Sequence, residues 1–150
     1  ISKDQEVHLV IAGEFWEDRE KYDTQIKAAG LEEYVHIFNY FIPDDEAAAF
    51  FEAADLFVAP YTGGTQSGAL KAALGFGLPI VITDIISDSL VRETTDICQV
   101  VVVNHPNSLA SGILKAINQQ KMDHHRIKLL LSKSWQDLVE EIAKIEDINR

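Results

Sequence analysis

Between Tyr61 and Lys71 the chain gathers residue types suited to holding an anion. Gly63-Gly64-Thr65-Gln66-Ser67-Gly68 places three glycines in six residues, with three polar side chains between them. Glycine lets backbone amides approach a ligand closely, and a helix expected to begin near Ser67 turns unpaired N–H groups toward the loop. Such a combination suits phosphate. Lys71, one turn into that helix, either aims an ammonium at a bound phosphate or stays solvated on the surface. Tyr61 either stacks on a base or sugar ring or packs the end of the preceding strand. The loop is not a nucleotide-hydrolase P-loop, because the closing lysine–hydroxyl pair is missing, and no G-x-G-x-x-G occurs. Composition by itself leaves open a connection that binds nothing.

Other chemistries find little support. His124 and His125 stand beside Asp123, but neighbouring helical residues do not share a face, which favours a solvated polar patch over a metal site. His8 and His36 fall within strands and read as core or edge histidines, and His105, before Pro106, reads as a turn residue. A nucleophile elbow would need glycine where Thr65 and Ala69 stand around Ser67. Glu14 is expected to cap the helix that follows it. The lone Cys98, set among Ile97, Val100 and Val101, reads as a buried, inert thiol. No catalytic residue can be named from spacing, and neither a metal nor a cofactor is expected.

The elements that must position the glycine loop alternate along the chain. Strands are expected at Val7–Ala12, Val35–Phe38, Asp55–Pro60, Pro79–Thr83 and Cys98–Val103, each a β-rich apolar run. A helical stripe through Tyr22, Ile26 and Ala29 closes at Gly30. A second helix starts at Pro43-Asp44-Asp45 and turns Phe50, Phe51 and Ala54 inward. The third occupies the short apolar stretch between Ser67 and Gly77. Ser108 is expected to cap a fourth, along Leu109, Ile113, Ala116 and Ile117. Helical patterns follow through Ile127, Leu130 and Leu131. Ser134-Trp135-Gln136-Asp137 is a capping-box start for a last helix along Leu138, Ile142 and Ile145. Strands too apolar to face water, alternating with helices, define an α/β fold: a doubly wound, Rossmann-like parallel sheet in a three-layer αβα arrangement, covered on both faces. Ligands bind such sheets at the carboxyl ends of the strands, where the glycine loop lies.

Size and charge set the outer bounds. The 150 residues suit one domain, with no linker or repeat, and 47% hydrophobic with 25% charged residues is ordinary globular composition. No apolar run approaches the roughly 18 residues of a spanning helix, and no leader segment is visible, so a cytoplasmic setting is expected. Thirteen basic against 24 acidic residues give a net charge of -11, which disfavours nucleic acid and anionic membrane as partners.

Taken in order, Ile11-Ala12-Gly13-Glu14, Tyr40 through Asp44, Ala54 through Tyr61, and Gln66-Ser67-Gly68 through Asp84 resemble the carboxyl-terminal domain of GT-B glycosyltransferases, and more narrowly the retaining family-4, or group 1, enzymes. The resemblance covers about residues 7 to 118. It implies a domain that grips a nucleotide-diphosphate sugar while a separate amino-terminal domain, missing here, holds the acceptor. It implies that the loop of Gly64, Thr65, Gln66, Ser67 and Gly68 lies along the diphosphate and sugar; Gly13, Tyr61, Gly63 and Lys71 are further candidate substrate contacts. It also implies that Asn39, Tyr40 and Phe41 meet the nucleobase largely through their backbone. The activity implied is transfer of a hexosyl unit to a glycan or lipid-linked acceptor, as in polysaccharide biosynthesis, by a full-length enzyme that works in the cytoplasm or peripherally at the membrane.

Three departures from the family pattern stand out. Gly64 and Ala72 occupy the places of two glutamates that group 1 members commonly carry, one on the sugar and one on the ribose. A subgroup with a Thr-Gln-Ser-Gly loop also lacks that pair, which implies Gln66 and Ser67 as the sugar contacts instead. Asp84-Ile85-Ile86-Ser87 replaces a family Asp-x-Gly-Gly, which removes the basis for donor contacts there. The family's first strand and helix, with their arginine and lysine, have no counterpart ahead of Val7. The resulting seam is expected to be open, bridged by rearrangement, or filled by another chain through self-association. A GT-B-shaped sugar-nucleotide epimerase and a non-catalytic scaffold of the same fold remain as alternatives.

Overall fold

The computed structural model describes residues 6–63, 67–86, 96–123, 125–129 and 132. The expectations placed on Gly64, Thr65, Gln66, Ser87, His124, Leu130, Leu131 and the helix from Ser134 lie outside them. The chain forms two compact units, divided after Phe50.

In the first unit, β1 (Leu9–Ala12) pairs in parallel with β2 (Val35–Phe38), in the register Leu9 to Val35 through Ala12 to Phe38. Between them α1 (Glu20–Ala29) carries Tyr22 and Ile26 half-buried, and Phe15 meets the Tyr22 ring edge-on at 5.2 Å. Gly30 ends α1 in the left-handed conformation, with its amide and that of Leu31 returning to the Lys27 and Ile26 carbonyls. Glu14 does not cap α1. The helix begins six residues later, and Asp18 Oδ1 accepts from the Glu20 amide at its start.

The burial expected of β1 is also corrected. Leu9 and Val10, neighbours that point to opposite faces, are 48% and 49% exposed. Among the described residues β1 pairs with β2 alone, and one apolar strand of four residues cannot cover itself. α2 (Asp44–Ala53) opens with Asp44, Asp45 and Glu46 in its first turn, where carboxylates complement the helix dipole, and crosses the division between the units.

The second unit holds the core. A parallel sheet runs β3–β4–β5, with β3 at Phe57–Ala59, β4 at Ile80–Thr83 and β5 at Cys98–Val101. Every residue of β4 is buried. One face of the sheet presents Ala59, Ile80, Ile82 and Cys98 to Leu70, Ala73 and Leu74 of α3 (Gly68–Gly75). The other presents Val58, Val81 and Val101 to Leu109, Ile113 and Ala116 of α4 (Pro106–Ala116). Helices on both faces of a parallel sheet make the expected αβα layers. Fully burying each large side chain here contributes about 1.5–3 kcal/mol, and Leu70, Leu78 and Ile80 are completely inaccessible.

The start of α4 differs from its expectation. Pro106 occupies the first turn, where its missing N–H is no loss, and His105 Nδ1 accepts from the Ser108 amide as the cap. Ser108 Oγ instead accepts from the Val102 amide just past β5. At the α3–β4 turn, Gly77 has φ 71°, its carbonyl accepts from the Met122 amide at 2.7 Å, and a Cβ there would stand 2.6 Å from the Met122 carbonyl oxygen. Gly77→Ala is expected to cost about 2 kcal/mol or more, from the left-handed backbone and the backbone clash together. Thermal denaturation followed by circular dichroism should register a Tm drop of roughly 5–10 °C.

Candidate functional site

The carboxyl end of β3 and the amino end of α3 meet through hydroxyl groups. Ser67 takes an extended backbone (φ -136°, ψ 120°), and its Oγ accepts from the Leu70 amide at 3.2 Å, which makes it the N-cap of α3. The Lys71 amide makes the first regular helical bond, to the Ser67 carbonyl. Among the described residues no acceptor serves the amides of Gly68 and Ala69, and both residues are solvent-exposed. Gly63 is exposed as well, with open space where a side chain would stand. Backbone donors at the head of an eight-residue helix, facing water at the carboxyl edge of a parallel sheet, are what an anion needs.

Tyr61 joins this edge by packing rather than by standing free. Its ring lies half-buried against the core cluster of α3 and β4, and its Oη is 2.9 Å from Ser67 Oγ. Its carbonyl accepts from the buried Thr83 hydroxyl at 2.7 Å. The sequence reading missed Thr83, treating it only as the end of an apolar strand. The available signal was a hydroxyl closing Ile80-Val81-Ile82, a run otherwise without a polar atom in its side chains. Lys71 is exposed on α3. Asp84, next after β4, turns one carboxylate oxygen to the Val103 amide at 3.0 Å and so braces the loop after β5.

In the first unit, Gly13, Asn39 and Tyr40 come together at the carboxyl ends of β1 and β2. The Gly13 amide donates to the Phe38 carbonyl at 3.1 Å, with Gly13 at φ 136°, a conformation side chains rarely allow. Asn39 Oδ1 accepts from the Phe15 amide, so this side-chain oxygen is engaged in shaping the turn after β1. The Tyr40 hydroxyl donates to Glu46, and that hydrogen bond to a carboxylate raises the phenol's pKa above its ordinary value. Tyr40 and Phe41 remain 43% and 71% exposed.

His8 Nδ1 and His36 Nε2 lie 2.9 Å apart with their rings stacked, and both residues are exposed. Burial pushes the Cys98 thiol up to about 11, which leaves it protonated and unreactive at neutral pH. Among the described residues no three His, Cys, Asp or Glu side chains are grouped to hold a metal ion, and no helix is long and apolar enough to cross a membrane.

A parallel α/β sheet with helices on both faces and a helix start at its carboxyl edge is the frame of a Rossmann-like domain. Residues 1–119 match the family described as Glycosyl transferases group 1, and the chain belongs to that family. Its fold is that of a GT-B glycosyltransferase carboxyl-terminal domain. Among solved structures it is similar to sucrose-phosphate synthase from Thermosynechococcus elongatus, with a TM-score of 0.62 and 15% sequence identity. That similarity covers 89% of this chain and 38% of the synthase chain, so the sequence spans well under half of that protein's length. No curated protein matches the chain.

Removing the Ser67 hydroxyl tests the cap: Ser67→Ala should lose about 1 kcal/mol in urea denaturation. The thiol gives a second test. Because the folded state holds the Cys98 proton more tightly than the unfolded chain does, its stabilising contribution is complete below the ordinary value of 9.0 and is lost as pH rises toward about 11. Ellman's reagent at pH 8 should therefore label Cys98 only after denaturant is added, and the stability of Cys98→Ala should lose less than the parent's between pH 8 and pH 11.

Proposed function

We propose that the chain is the donor-binding portion of a nucleotide-sugar-dependent glycosyltransferase. In this reading it holds a nucleoside diphosphate sugar, while another domain of the parent enzyme supplies the acceptor. The observation that carries the reading is the α3 amino terminus: the amides of Gly68 and Ala69 are presented to solvent at the carboxyl end of β3, in a member of a glycosyltransferase family. The diphosphate would lie against Gly63, Gly64, Thr65, Gln66, Ser67 and Gly68. Lys71 would add long-range positive charge as the leaving diphosphate develops its own negative charge. Gly13, Asn39 and Tyr40 would form the nucleobase end, with the backbone as the reader, in keeping with the engaged Asn39 side chain.

Modest coverage of the synthase chain fits a larger enzyme. Hexosyl transfer, a glycan or lipid-linked acceptor, inactivity of the isolated chain and a cytoplasmic location belong to the same proposal.

Isothermal calorimetry of the 150-residue chain with UDP, GDP and ADP tests it. Saturable binding of at least one is expected, weakened several-fold by Lys71→Ala and by Gln66→Ala. Absence of heat with all three would defeat the reading. Binding untouched by both substitutions would favour a scaffold over a transferase.

A further inference from the structure

We propose that Thr83 is a positioning residue for the donor loop, acting through Tyr61 and Ser67. The inference rests on the reading of that loop as the diphosphate site. It starts from the end of the β3–β4 ladder. The β3–β4 register runs Phe57 to Ile80, Val58 to Val81 and Ala59 to Ile82, so the next pair would set Pro60 against Thr83. Because the Phe57 amide donates to the Pro79 carbonyl, the odd-numbered residues of β3 face β4, and Pro60 turns its missing N–H away from that strand. At that step the Thr83 hydroxyl, on a residue only 3% exposed, donates to the Tyr61 carbonyl at 2.7 Å. A side chain thus adds a tie between the two strands just past the last paired residue of β3.

That tie sets the first residue of the loop. With its carbonyl fixed to β4, Tyr61 brings its Oη to 2.9 Å from Ser67 Oγ, and Ser67 Oγ in turn accepts from the Leu70 amide. A continuous path of hydrogen bonds therefore connects the end of β4, the end of β3 and the start of α3. Proton counting shows what the path leaves over. The Tyr61 and Ser67 hydroxyls bring two hydrogens, and their mutual bond uses one. Whichever group donates in that bond, the hydrogen of the other has no acceptor among the described residues. The loop edge consequently offers one hydroxyl donor beside the Gly68 and Ala69 amides, suited to an anionic oxygen. Its location depends on where Thr83 holds Tyr61.

The test compares Thr83→Val, which keeps the shape and deletes the hydroxyl, with Thr83→Ser, which keeps the hydroxyl. Tyr61→Phe and the double variant Thr83→Val/Tyr61→Phe complete a cycle. Two quantities are measured on the 150-residue chain: calorimetric affinity for UDP, GDP and ADP, and exchange of the Leu70 and Ile82 amides by NMR. Thr83→Val should weaken diphosphate binding about five- to tenfold, the size of one lost hydrogen bond. Thr83→Ser should restore it to within about twofold. Leu70 exchange should accelerate in Thr83→Val while the Ile82 amide, within the core of the sheet, keeps its rate. In the double variant the losses should fall short of multiplying, because both changes break one path.

Parental affinity and Leu70 exchange in Thr83→Val would overturn the proposal, as would a Thr83→Ser variant no better than Thr83→Val. Should Thr83→Val not fold, Tyr61→Phe carries the same test: faster Leu70 exchange with weaker binding supports the path, and no change in either overturns it. A parent chain that binds no diphosphate would sink the donor reading on its own, and Leu70 exchange would still decide whether Thr83 places Ser67.

Discussion

Burial of β4 on both faces obliges every polar group along it to find a partner inside the protein, since an unpaired buried amide or carbonyl costs as much as a lost hydrogen bond. Flanking strands meet that demand: β3 pairs with one edge and β5 with the other. Their apolar side chains then alternate between two helices, with Ala59, Ile80 and Ile82 facing α3 and Val58, Val81 and Val101 facing α4. The layered unit follows from these pairings. So does its polar rim: the β3–β4 pairs end at Ala59 and Ile82, and on that side the groups past them bond through side chains or face water.

The division between those two fates gives the edge its chemistry. Groups nearer the core are engaged: the Thr83 hydroxyl with the Tyr61 carbonyl and Ser67 Oγ with the Leu70 amide, while the exposed Asp84 carboxylate takes the Val103 amide. Amides one step farther out, at Gly68 and Ala69, face solvent. A rigid inner ring of hydrogen bonds thus supports an outer ring of donors. In the proposed reading, such preorganisation would limit the ordering cost of binding a diphosphate.

Much of this was legible in the residues. The apolar runs at 56–59 and 79–83, the glycine loop between them and a helix starting near Ser67 all follow from types and spacing, and so does the left-handed stop at Gly30. Caps were read less well. Ser108 has the chemistry of a cap, but Pro106 fixes the first turn two residues earlier and leaves that role to His105. Glu14 likewise stands too far from Glu20 to serve α1. The burial of Val7–Ala12 was inferred from its composition, yet burial depends on what packs against a strand, and composition does not carry that information. Thr83 escaped notice for a related reason: a β-branched residue ending an apolar strand looks the same whether its hydroxyl is idle or bonded.

The Gly77 turn has a bearing on how the molecule could be altered. It sits at the amino end of β4, where its carbonyl holds the Met122 amide, while Ile127 packs beneath it and Lys121 Nζ reaches the Glu52 carbonyl. The chain leaving α4 is therefore moored to the rim opposite Tyr61 and Ser67. Anchorage and that rim fall at opposite ends of one sheet, so extensions or attachments made around residues 119–123 would leave the rim with Tyr61 and Ser67 unobstructed.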